Sequence, residues 1–270
     1  MTGHVDVDGG RRHGAVLLVI VASGVCGFLA VMVGTGRYGA GVTPDSVTYV
    51  WAARGLLSGR GMQLVYGDPY TMWGPLYPWV LATLGLTGLD LWAAGRVLNA
   101  VLFAGIVTLP GLWLLRDSRH PVLALFATLM ALTSATLVWA ATVLSEPLFI
   151  VLVLLALWRM RDFVTRSSTR SLVIAALPAG AACLTRYIGV SVVATGGLLL
   201  LAAREGSLHK RIRNCILFGG IALLPLGLWL ARNRLVTGSL AGTRRPATSP
   251  FIENVSRLGG VLAGTLCRQV

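Results

Sequence analysis

Long apolar runs alternate along this chain with short clusters of basic residues, and the lengths of the runs predict most of its elements. Gly14 to Gly34 carries no charge, and about 20 such residues make one bilayer-spanning helix. The run outlasts the apolar part of an ordinary signal peptide and has no convincing small-residue cleavage site, so it predicts an uncleaved first span behind a polar tail. Residues 35–96 mix polar, aromatic, Gly and Pro positions and predict a large loop. Inside it, Thr43-Pro44-Asp45-Ser46 reads as a helix start, with Thr43 as cap and Pro44 at the first helical position. Val47, Val50, Trp51, Leu56 and Leu57 then predict an amphipathic helix lying on a membrane surface. A second helix of that kind is predicted from Leu76 to Leu86.

Val97 to Leu115 is the next predicted span. Pro121 to Trp158 follows with Glu146 as its one charge in 38 residues. At helical rise that is about 57 Å, nearly two crossings of a core about 30 Å thick, so a hairpin is required. Ser171 to Ala203 holds one charge, Arg186, and is flanked by basic segments on both sides. Matching basic flanks imply an even number of crossings and a second hairpin. The alternative is a single crossing with Arg186 at mid-bilayer, at a cost of roughly 2.5–3.5 kcal/mol. Cys215 to Leu230 is the last span.

The pattern predicts an all-α polytopic membrane protein with about seven transmembrane helices and a long first extracytoplasmic loop carrying membrane-surface helices. Residues 1–13 form a cytoplasmic tail, 14–231 a transmembrane module with its first outer loop at 35–96, and 232–270 an extracytoplasmic C-terminal segment. Composition agrees: 55% of residues are hydrophobic, 12% are charged, and mean hydropathy is +0.75. Lys and Arg number 23 against 10 Asp and Glu, but the arginines sit in short connections between spans. That placement is a topology signal and argues against a nucleic-acid partner. Cys26, Cys183, Cys215 and Cys267 show no metal or redox spacing, and the first three read as reduced residues of apolar segments.

Charge becomes informative once the basic loops are placed in the cytoplasm, because Asp45, Glu146 and Arg186 then all face the opposite side. Both hairpins are slightly short for two full spans, which sinks their tips below the membrane surface, where ionisable groups persist when paired or used. Each residue also has a plain structural reading. Glu146 fits an acidic first turn between Ser145 and Pro147, Arg186 fits a partner for Glu146 or a snorkelling side chain, and Asp45 fits a first-turn helix residue.

Several segments together carry a resemblance. They are Pro44-Asp45-Ser46-Val47-Thr48-Tyr49, then Ala52 through Gly61, Gly74-Pro75-Leu76-Tyr77-Pro78, Leu144-Ser145-Glu146-Pro147-Leu148-Phe149 and Leu184-Thr185-Arg186-Tyr187-Ile188-Gly189. In this order, behind an uncleaved first span, they resemble the GT-C glycosyltransferases, integral-membrane enzymes that use polyprenyl-phosphate sugars. Protein O-mannosyltransferases and the aminoarabinose transferases of lipid A belong to that superfamily. The resemblance implies a sugar transfer on the extracytoplasmic side of the cell membrane, from a polyprenyl-phosphate-linked donor to a glycan, lipid or protein acceptor. It implies Asp45 as catalytic base and Arg186 on the donor phosphate. Glu146, with Tyr49 and Tyr77, positions acceptor or donor. Tyr49, Trp51, Tyr66, Tyr70, Trp73 and Tyr77 either line the sugar site or anchor the loop at the interface. No cofactor is implied, and no metal ligand is identified.

The chain departs from the superfamily in having Gly74-Pro75 where several members have two prolines, and Asp45-Ser46 where some have two acids. The second departure leaves acceptor class and metal use open. The chain is also shorter than most members, which reads as a truncated member or an inactive fragment. A transporter or a non-catalytic multi-span protein is the competing class, although no internal repeat or pair of broken helices supports a transporter. Asn254-Val255-Ser256 fits an N-glycosylation triplet, and Arg244 with Arg245 fits a phosphate or headgroup contact.

Overall fold

The computed structural model describes residues 7–118, 120–166, 168–202 and 207–242, with a few isolated positions beyond them. The triplet at Asn254, the arginines at 244 and 245, and Cys267 lie outside the described residues. Among the described residues, the regular elements are all helices. They are α1 (Val7–Gly34), α2 (Pro44–Leu57), α3 (Leu76–Gly85), α4 (Leu91–Ser118), α5 (Pro121–Leu132), α6 (Thr136–Ala140), α7 (Glu146–Arg166), α8 (Thr169–Thr185), α9 (Val190–Ala202) and α10 (Leu208–Thr237). A 3-10 turn over Tyr187–Gly189 joins α8 to α9.

Three helices are long and apolar enough to cross a membrane: His13–Gly34 within α1, α4, and α10. Around the bundle, Leu18, Val33, Val122, Leu198, Ile216 and Leu224 are all exposed, an apolar surface of the kind a bilayer covers. The two ends of α7 meet different surroundings: at Glu146 it meets α2 and the turn at 186–189, and we call this the loop end; toward Arg166 its Asp162 meets Arg116 and Arg159, and we call this the basic end.

Small residues let the rods approach, as packing between apolar helices requires. A Cβ at Gly27 of α1 would sit 3.2 Å from Phe103 of α4, and one at Gly180 of α8 would sit 2.9 Å from the Ala222 carbonyl of α10. The helix at Pro121–Leu132 packs against α1 and α4, while α7 packs against α4 and α8. Both helices of the first predicted hairpin thus lie against α4, and among the described residues they do not form a tight pair of their own. The second is a fold-back: the chain turns extended at Arg186 (φ −145°, ψ 134°), and Leu172 of α8 and Leu200 of α9 then lie in one core cluster.

Helix boundaries outrun the apolar runs. The first helix begins at Val7, before Gly14; α4 begins at Leu91, before Val97; α10 continues past Leu230 to Thr237. Charged residues do not stop a helix; a stop signal does, and α10 ends where Gly238 takes the left-handed φ of 70°.

The helix start at Thr43 is as predicted, with Thr43 accepting from the Ser46 N–H, Ser46 accepting from the Thr43 N–H, and Pro44 at the first helical position. Its inward face is not the predicted apolar stripe, however. Ser46, Tyr49, Val50 and Ala53 are buried, whereas Val47 and Leu57 are exposed. The physical reason lies beneath it: α2 packs on the protein's own core, where Tyr49, Val50, Ala52 and Ala53 join Tyr77, Leu81 and Val143, so the buried face is set by that core and not by a membrane surface.

Candidate functional site

At the loop end, Gly41 and the 141–143 segment form a short parallel bridge that sets the starts of α2 and α7 side by side. The Gly41 N–H donates to the Ala141 carbonyl (2.8 Å), and the Val143 N–H donates to the Gly41 carbonyl (3.2 Å). The turn between α8 and α9 comes against them and brings Arg186. Its Nη1 lies 2.6 Å from Glu146 Oε1 and donates to Ser145 Oγ at 3.3 Å. Ser145 Oγ in turn shares a 3.0 Å hydrogen bond with the Tyr49 hydroxyl. Tyr49 stands one helical turn from Asp45 on α2.

The three sequence-predicted charges therefore gather around one phenol. Burial pushes the Tyr49 hydroxyl up to about 12; the Ser145 hydrogen bond opposes this, Asp45 and Glu146 add to it, and Arg186 opposes it. The phenol stays protonated throughout the neutral range and acts as a hydrogen-bonding group. Burial also raises Tyr70 well above its ordinary value.

The two carboxylates differ. Asp45, half-buried, makes no side-chain hydrogen bond or ion pair among the described residues. Glu146 uses one oxygen on Arg186, and its Oε2 is buried without a partner. Ser145 precedes α7 but spends its hydroxyl on Tyr49 and Arg186 instead of capping the helix.

Beside Arg186 lies a cavity of about 360 Å³ lined by Met72, Trp73, Gly74, Thr185, Arg186, Tyr187 and Ile188. The wall at 70–74 is fixed by backbone approach: a Cβ at Gly74 would collide with the Leu184 carbonyl. It is fixed also by a polar knot. Tyr187 donates to the Thr71 carbonyl (2.7 Å), Trp229 Nε1 donates to Tyr187 (3.1 Å), Arg232 Nη1 donates to the Tyr70 carbonyl (2.9 Å), and Asn233 Nδ2 donates to the Leu240 carbonyl (3.0 Å).

The predicted aromatics divide by burial. Trp73 faces the cavity and meets Tyr49 edge-on at 6.4 Å. Tyr77 is fully buried and donates to Asn99 Oδ1 (3.0 Å), whose amide nitrogen donates to the Thr142 and Leu144 carbonyls (2.6 and 3.1 Å). Tyr66 is exposed, and Trp51 is half-buried on α2. Among the described residues, no group of three or more His, Cys, Asp or Glu stands close enough to hold a metal ion.

Asn99, Trp229 and Asn233 were not singled out from the sequence, Ser145 was read only as a helix cap within a resembling segment, and Tyr187 only as part of another. Asn99 and Asn233 carried a usable signal, since an uncharged polar side chain inside a long apolar helix usually has a partner to meet. Compared with known proteins, the chain matches no family model, no curated protein and no solved structure.

Proposed function

We propose that this chain is a membrane glycosyltransferase that moves a sugar from a polyprenyl-phosphate-linked donor to a glycan, lipid or protein acceptor. In this reading α1, α4, α5, α7, α8, α9 and α10 all span the bilayer, and the loop end lies on the extracytoplasmic side. The observation that supports it best is that Asp45, without a side-chain partner among the described residues, and Arg186, which lines a cavity, both act on the same Tyr49 phenol.

The chemistry is a single displacement. The acceptor hydroxyl gives its proton to Asp45 while its oxygen bonds to the anomeric carbon from the face opposite the leaving group. The bond from that carbon to the phosphate oxygen breaks, and the electron pair departs on the phosphate, where Arg186 meets the charge. Inversion at the sugar follows. Trp73 offers an aromatic face at the cavity for the sugar ring.

A second reading is a non-catalytic membrane protein in which Glu146 and Arg186 simply pin two hairpin tips, favoured by their 2.6 Å contact. One experiment separates the two. Membranes containing the chain are incubated with radiolabelled polyprenyl-phosphate sugars, and label is counted in lipid, glycan and protein fractions. The enzyme reading expects transfer that falls by roughly 100-fold or more in Asp45→Asn. Transfer that survives Asp45→Asn removes the base assignment, and no transfer from any donor by correctly inserted protein leaves the non-catalytic reading.

A further inference from the structure

We infer that Glu146 is an internal competitor for the anion site: in the empty protein its carboxylate holds the guanidinium that a phosphate takes on binding. The inference rests on the assignment of Arg186 to the donor phosphate.

A carboxylate built only to brace two hairpins satisfies both oxygens, as Asp162 does at the other end of α7 with Arg116 and Arg159. Glu146 does not: Oε1 meets Arg186 while Oε2 is buried without a donor. A buried acceptor left unmet makes the paired arrangement a compromise that a better anion can displace. On the other side of the pair, Arg186 commits Nη1 alone. Its Nη2 and Nε make no hydrogen bond among the described residues, and the side chain is 34% exposed. Of the described residues lining the cavity, Arg186 is the single cation, so an anion entering there draws countercharge from this side chain.

The exchange needs no backbone movement. Ser145 Oγ, bonded to Tyr49, keeps a hold on Nη1, and the displaced Glu146 stays in the first turn of α7, where a negative charge is favoured. A phosphate monoester or diester can engage a guanidinium through two parallel hydrogen bonds, which a carboxylate held by one oxygen does not match. The consequence is a site tuned for release. Each departure of the phosphate is helped by the return of Glu146, so the carrier binds less tightly than a bare arginine would hold it.

The test is binding of farnesyl phosphate, inorganic phosphate and farnesol to the full chain in nanodiscs, measured by calorimetry. Glu146→Gln keeps the shape and removes the competing charge, and is expected to bind farnesyl phosphate about tenfold tighter than wild type. Arg186→Gln is expected to lose that binding. A parallel gain with inorganic phosphate identifies the phosphate group as what is recognised; a gain confined to farnesyl phosphate places a lipid-phosphate headgroup in the site. Equal or weaker binding in Glu146→Gln, with loss in Arg186→Gln, overturns the competition and leaves the phosphate assignment standing. Binding indifferent to Arg186→Gln, or no binding of either phosphate by any variant, overturns both. Should Glu146→Gln not fold, Glu146→Asp, whose shorter arm loosens the same contact, is expected to tighten binding in the same direction, and unchanged or weaker binding counts against the competition.

Discussion

The two ends of α7 show opposite ways of handling charge. At the basic end, Asp162 takes Arg116 at 2.7 Å and Arg159 at 3.4 Å, and Asp117 takes Arg161 at 3.4 Å and the Trp113 indole at 2.8 Å. Trp113 and Trp158 stack there with their rings 8° apart, and Arg116 lies over Trp158. Each carboxylate at that end is shared between two donors. At the loop end, Asp45 has none among the described residues and Glu146 is half met, and cohesion leans on backbone approach and hydrogen bonds that involve no carboxylate: Gly74 on Leu184, Tyr77 on Asn99, Tyr187 on Thr71, Arg232 on the Tyr70 carbonyl. Charge used as mortar at one end is left partly unpaired at the other, which is the arrangement the proposed transfer would call for.

Four substitutions press on this contrast. The largest effect is expected at Gly74→Ala, because a Cβ there meets the carbonyl of Leu184 and backbone must move. We expect a loss of about 2–3 kcal/mol in unfolding free energy, measured by denaturant titration in detergent, together with reduced transfer activity as the cavity wall shifts. A protein as stable as wild type would mean that backbone approach does not hold the loop end. Next comes a matched pair. Removing the carboxylate of Asp162, which is nearly buried beside two half-exposed arginines, is expected to cost about 1–2 kcal/mol, whereas Asp45→Ala is expected to stay within about 0.5 kcal/mol of wild type. Equal losses at the two positions would erase the distinction between the ends.

Tyr49→Phe removes one hydrogen bond to Ser145 and is expected to cost about 1 kcal/mol, between the losses expected at Asp162 and at Asp45. It has a pH signature as well. The folded-state pKa of Tyr49 is raised from 10.0 to about 12, so the stability linked to its proton is complete below pH 10 and is lost as pH rises through 12. Melting temperatures of wild type and Tyr49→Phe followed across that window should converge. Parallel curves would show that Tyr49 does not titrate between the two limits.

Much of the fold is legible in the chain because apolar length and the Thr43-Pro44 cap act locally. So is the meeting of Glu146 and Arg186, since one charge per hairpin places each at its turn. What was not legible depends on partners far away in sequence. Ser145 looks like a helix cap until Tyr49 and Arg186 come to it, and Asn99 gains meaning only from carbonyls 43 and 45 positions on. The face of α2 was misread for a related reason. The predicted stripe was assigned to a membrane surface, but α2 packs on the core formed by Tyr77, Leu81 and Val143, so Tyr49, Val50, Ala52 and Ala53 turn inward and Val47 turns out.

The path of the chain after α10 has an engineering consequence. Gly238 reverses the direction, Asn233 holds the Leu240 carbonyl, and Gly242, at φ 77°, presses against Met72 of the cavity wall. A fluorophore or spin label attached near Leu240 would therefore report from the threshold of the site without touching Asp45, Glu146 or Arg186, converting occupancy of the cavity into an optical or magnetic signal.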